Sequence, residues 1–147
     1  MQSKNVIKFS LLALTGLWAQ TEYAGEKLTV PSSMGVVTKE LSISASGTIT
    51  DLNIKVSTTH PSSNGMYYWS IYLTSPRGTT VQLFPKNSSI RGGLYKTMFD
   101  DEASNTFTES GTPYFGSFKP IGGLLSDLDG DAITGTWTLS VYSDNTD

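Results

Sequence analysis

No cysteine occurs in the 147 residues, and histidine occurs once, at His60. Disulfides, thiol nucleophiles and Cys-ligated zinc are thereby excluded, and so is a metal site built on several histidines. Charge is sparse as well: Asp, Glu, Lys and Arg make up 16% of the chain, and the net charge is −3. Binding nucleic-acid phosphates needs a basic surface, so that class is set aside. The apolar run at 9–19 falls short of the ~20 residues that cross a bilayer. Its setting is instead that of an export leader: two lysines in MQSKNVIK, then FSLLALTGLWA, then the polar QTEYAGEK. Cleavage near Ala19 or Gln20 is expected, which makes 1–20 a signal peptide. The mature protein is then secreted or on the cell surface, with no membrane span left. The competing fate of the run is a buried N-terminal helix.

Beyond the leader, 21–39 reads as a polar lead-in broken by Pro-Ser-Ser at 31–33. Period-two alternation takes over from residue 40, as in half-buried strands. Leu41, Ile43 and Ala45 alternate with polar neighbours; so do Leu52, Ile54 and Val56, and then Trp69, Ile71 and Leu73. Val81 and Leu83 follow a Ser-Pro-Arg-Gly turn at 75–78, and Trp137, Leu139 and Val141 form the last clear strand. Turn residues separate these short segments, and no long stretch after the leader repeats its apolar residues at helical spacing. The pattern predicts one all-β domain over 40–147, an antiparallel sandwich or jelly roll. A chain of this size suffices for one core between two apolar faces.

The acidic run is the unusual feature. TMFDDEAS (97–104) places Asp100, Asp101 and Glu102 in succession, and no Lys or Arg occurs in the following dozen residues. A solvated turn accounts for such a run, and so does a cation. Calcium takes about six to eight oxygens, so three adjacent carboxylates cannot complete a site alone. Asp144, after the last strand, is the candidate remote carboxylate. A second acidic cluster, DLDGD at 127–131, fails as an EF-hand: the loop needs Gly sixth and Glu twelfth, where Ala132 and Thr138 stand. It is expected to be a turn.

Several motifs in order resemble the P domain, or homo-B domain, that follows the catalytic domain of kexin- and furin-like proprotein convertases and of bacterial secreted subtilisin-like proteases. They are GTITDLNIKVSTTH (47–60), IYLTSPRGTTVQL (71–83), FDDEA (99–103), GSFKPIGGLLSDLDG (116–130) and GTWTLSVYSD (135–144). The resemblance implies a galactose-binding-like jelly-roll sandwich and a non-catalytic role, with an adjacent or separate protease domain as partner. It also implies calcium at the FDDEA segment, with Asp100, Asp101, Glu102 and Asp144 as the candidate ligands. Two departures stand out. Tyr67, Tyr68 and Trp69 occupy the positions of the usual Gly-Asp-Leu, and the chain stops at SDNTD where the family continues into a final strand, so the last strand is expected to be missing.

Other functions are less well supported by the residues. No G-x-S-x-G occurs, so a nucleophile elbow is lacking, and His60 is expected to be structural. Three carboxylates in a row cannot flank a sugar ring from two sides, as glycoside hydrolysis requires. The alternative from another class is a free-standing carbohydrate-binding or adhesion module. Trp18 falls in the leader and Trp69 alternates toward the core, which leaves Tyr68 and Tyr72 to face outward. Asn87-Ser88-Ser89 fits a glycosylation sequon.

Overall fold

A computed structural model describes residues 5–15, 20–30, 34–58, 68–85, 93–107 and 114–143. Along them run β1 (Asn5–Leu14), β2 (Thr21–Ala24), β3 (Leu28–Val30), β4 (Gly35–Ile43), β5 (Asp51–Thr58), β6 (Trp69–Thr74), β7 (Thr80–Phe84), β8 (Leu94–Phe99), β9 (Tyr114–Phe118) and β10 (Gly135–Ser143). A 3-10 turn spans Leu125–Leu128. One sheet has six strands in the order β2-β1-β5-β8-β9, with β3 also on β1; the other has four, β4-β10-β6-β7. The architecture is an all-β sandwich of two sheets.

The alternation read from the sequence explains the layers. Leu52, Ile54 and Val56 of β5 are buried, as are Trp69, Ile71 and Leu73 of β6, Val81 and Leu83 of β7, and Trp137, Leu139 and Val141 of β10. Facing from two sheets, they form one apolar cluster. The cluster extends to an aromatic hub that no periodicity announced. Phe107 packs edge-on against Phe84 and Tyr114, tilted against Phe99, and stacked on Phe118 at 4.8 Å. The hub ties β7 of one sheet to the β8–β9 pair of the other. That pair runs parallel, a departure from the antiparallel expectation, while the other pairings between named strands are antiparallel. A parallel pair requires the chain to cross over between its strands instead of turning back.

The N-terminal residues differ most from expectation. The apolar run expected in a leader lies largely in β1, which pairs with β5 from Ile7↔Thr58 to Leu14↔Asp51 and buries Ile7, Phe9, Leu11 and Ala13. NVIKFSLLAL alternates at period two as well as being apolar overall, so it fits a sheet edge as readily as a leader. The polar lead-in carries β2, β3 and the first half of β4, and Ala45 lies just past the end of β4. Cleavage near Ala19 or Gln20 would take β1 away and uncover the edge of β5.

Burial of Ile7, Phe9 and Leu11 contributes about 2 kcal/mol each, a large part of a typical domain stability. A chain beginning at Thr21 is therefore expected to lose its cooperative thermal transition, with the full chain melted alongside as reference. Equal melting of the two would show that β1 is dispensable and leave 1–20 free to act as a leader.

Candidate functional site

The acidic run folds as a tight turn with one side in the core. Phe99 and Ala103 are buried, and Ala103 N–H donates to Asp100 O at 3.1 Å to close the turn. Within it, Glu102 N–H donates to Asp100 Oδ1 at 2.9 Å. Asp101 is directed differently. Its Oδ1 accepts from Leu125 N–H at 2.9 Å and its Oδ2 from Ser126 N–H at 2.7 Å. Both oxygens are thus committed to the first residues of the 3-10 turn, whose Leu125 and Leu128 are buried. A carboxylate held by charge-assisted bonds to backbone N–H groups is a strong tie between distant segments.

Two further carboxylates join this corner. Asp51 opens β5, and Asp129 follows the 3-10 turn. Their proximity shows in their ionisation. Burial pushes the Asp51 carboxyl up, and the charges of Asp100 and Asp101 push it further; burial, Asp51 and Asp101 do the same to Asp129. Glu102 is pushed up to about 7, first by its side-chain hydrogen bond with Asp100, then by burial and the charge of Asp51. With its amide oriented to satisfy both ends, Asn53 adds a donor, Nδ2 to Asp100 Oδ1 at 3.3 Å.

The other sequence motifs meet beside the same corner. In SPRG, Gly78 N–H donates to Ser75 O at 2.9 Å, with Pro76 setting the turn and Gly78 taking a φ of 92°. Arg77 of that turn reaches Asp131 Oδ1 at 2.9 Å. DLDGD is a turn, as expected: Gly130 takes a φ of 91° and its N–H donates to Ile49 O at 2.7 Å, while Ile49 N–H returns a bond to Asp131 O at 2.8 Å.

Of the expected cation ligands, Asp100, Asp101 and Glu102 are brought together with Asp51 and Asp129. Asp144, His60, Tyr67, Trp18 and the sequon at 87–89 lie outside the described residues. β10 leads away from this corner toward residue 144 and ends at Ser143, roughly 27 Å along the strand from Gly135. Among the described residues no three carboxylates stand where they would hold one ion. Asp51 and Asp129 were visible in the sequence, but only the pairing of β5 and the return of 128–131 to Ile49 place them at the run. Trp69 is buried and Tyr72 half-buried, in line with the alternation.

The sequence motifs thus converge on one acidic corner of a two-sheet sandwich. The chain belongs to the proprotein convertase P-domain family, whose model matches residues 49–147, more than half of the sequence. The P domain is the non-catalytic domain of proprotein convertases, associates with the protease catalytic domain, and occurs in secretory-pathway proteases. No curated protein and no solved structure matches the chain. No helix among the described residues is long and apolar enough to cross a membrane.

Two outcomes are expected from the corner. Asp101→Ala leaves the Leu125 and Ser126 N–H groups without their acceptor, and should cost about 2 kcal/mol in denaturant unfolding, in chelator and in calcium alike. Glu102 binds its proton more tightly folded than unfolded, so its contribution favours the folded state at low pH and is lost as pH rises from about 4.5 to about 7. Because Glu102 is exposed, solvent screening keeps this below about 1 kcal/mol. In chelator, Glu102→Gln should flatten the decline in melting temperature across that window and raise stability at pH 8. An unchanged slope would remove Glu102 as its source.

Proposed function

We propose that the chain is an accessory module of a secreted subtilisin- or kexin-like serine protease, or of a multidomain exported protein, which docks on a neighbouring domain and stabilises it. Membership of the P-domain family over 49–147 carries this reading. The same context supports a secreted or cell-surface location and a jelly-roll winding. Apolar area for docking is present on the β8–β9 edge. Phe115 is 67% exposed and Tyr95 44%, and their rings lie 5.9 Å apart. Mixing the chain with its partner protease catalytic domain, adjacent or separate, should raise that domain's melting temperature by several degrees. Phe115→Ala should abolish the rise while leaving the chain's own melting unchanged. No rise with the parent chain would overturn the docking role.

Calcium is the second part of the proposal. With Asp101 committed to backbone N–H groups, Asp51, Asp100, Glu102 and Asp129 are the carboxylates whose repulsion a divalent cation would relieve. Backbone carbonyls and water would supply most of its about six to eight oxygens. Millimolar calcium should raise the melting temperature over chelator. Asp51→Asn should raise it in chelator, by removing one repelling charge, and shrink the further gain from calcium. Identical melting of the parent in both buffers would remove calcium from the reading and leave the docking role standing.

A further inference from the structure

The outer face of the six-stranded sheet breaks its own alternation at the end of β5 opposite the acidic corner. β8 runs buried, exposed, exposed, buried over Leu94–Thr97, where strict alternation would send Tyr95 or Lys96 inward. Its register with β9 shifts between Leu94 and Thr97, and Lys96 takes a φ of 47°, a left-handed conformation uncommon for a long side chain. Side-chain hydroxyls hold the bulge. Lys96 N–H donates to Ser57 Oγ at 2.8 Å, Tyr95 N–H donates to Thr97 Oγ1 at 3.0 Å, and the Thr97 hydroxyl donates to Tyr114 O.

The bulge sets a cation beside two aromatic rings. The Lys96 ammonium lies 5.5 Å from the Tyr95 ring centre, and Tyr95 lies against Phe115. Register adds positive charge. Lys8 of β1 stands opposite Ser57, the residue that holds Lys96, and Lys27 lines one groove with Lys8. Lys8, Lys27 and Lys96 are all exposed, and none is in an ion pair among the described residues, whereas Lys39, Lys55 and Arg77 each have a carboxylate. For a chain of net charge −3, three such cations in one region are an uneven distribution. Asp51 opens β5 roughly 20 Å along the strand from Ser57, so the sheet is acidic at one end and basic at the other.

We infer that this platform takes an acidic polypeptide segment that carries an aliphatic side chain. The inference rests on the docking role and names the chemistry of the partner. The aliphatic group packs on the Tyr95 and Phe115 rings while carboxylates face Lys8, Lys27 and Lys96. The acidic corner repels the same partner and so fixes its direction along the sheet. Strain at an exposed position points the same way, because it costs stability and its visible product is the outward aim of Tyr95 and Lys96. Membership of the P-domain family favours a polypeptide over an anionic membrane as the source of the charge.

The test is amide NMR titration of the full chain with two blocked hexapeptides, Glu-Glu-Leu-Leu-Glu-Glu and Lys-Lys-Leu-Leu-Lys-Lys, and with vesicles of anionic phospholipid. The acidic peptide is expected to bind with millimolar affinity, to shift the amides of Tyr95, Lys96 and Phe115, and to weaken severalfold between about 20 mM and about 500 mM salt. Lys8→Glu combined with Lys96→Glu should weaken it at least about tenfold. Lys96→Gly should weaken it severalfold and yet raise the melting temperature, since glycine takes a positive φ without strain. No shift at about 10 mM, equal binding of the basic peptide, or binding unchanged in both variants overturns the assignment. So does binding of the vesicles alone, which would make the face a lipid contact, or self-association that the double reversal abolishes. Stabilisation of the protease domain that survives the double reversal overturns the partner chemistry and leaves docking standing. Peptide binding without that stabilisation supports the platform and removes the docking role.

Discussion

Five carboxylates gather at one corner of this sandwich with one nearby guanidinium, and the arrangement depends on Asp101 giving both its oxygens to backbone N–H groups. Those two bonds offset part of the cost of gathering charge there and secure the 3-10 turn whose Leu125 and Leu128 enter the core. Without them the turn would present unpaired N–H groups near the core, and the acidic run would lose its tie to that turn. Burial for Asp51 and Asp129, and the hydrogen bond with Asp100 for Glu102, lift their proton affinity first, and repulsion among the carboxylates adds to it.

The order of the motifs in the sequence acquires a physical meaning here. A Cβ on Gly135, at a φ of 128°, would lie 2.6 Å from Cβ of Pro76, so GTWTL begins with glycine because the SPRG turn occupies that space. Arg77 of the same turn clasps Asp131, and Asp131 O receives the N–H of Ile49, just ahead of the strand that starts at Asp51. Three segments far apart in the chain are thus mutually constrained at one end, and each motif is weak alone because its reason lies in another.

Charge and aromatic surface are kept at opposite ends of β10. The acidic corner suits electrostatic tuning of stability, while Tyr72 and Tyr142 meet edge-to-face on the outer face of the four-stranded sheet. The exposed Tyr95–Phe115 pair lies on the other sheet, at its β8–β9 edge. A module with three distinct surfaces on two sheets can contact a neighbouring domain with one and leave the others accessible.

The alternation of Leu52, Ile54 and Val56, of Trp69, Ile71 and Leu73, and of Trp137, Leu139 and Val141 was legible because side chains on a strand change face at each residue. The SPRG and DLDGD turns were legible because proline and glycine restrict or extend φ. β1 was ambiguous, since an apolar-rich run that follows Lys4 and Lys8 satisfies a leader and a buried strand equally. The Phe107 hub and the placement of Asp51 and Asp129 beside the acidic run were not readable at all. Local sequence therefore determined the all-β class, the strand faces and the acidic run itself. Tertiary structure alone decided which carboxylates meet, which one is held by backbone N–H groups, and where the tyrosines line up, because those depend on register between strands that the chain brings together from far apart.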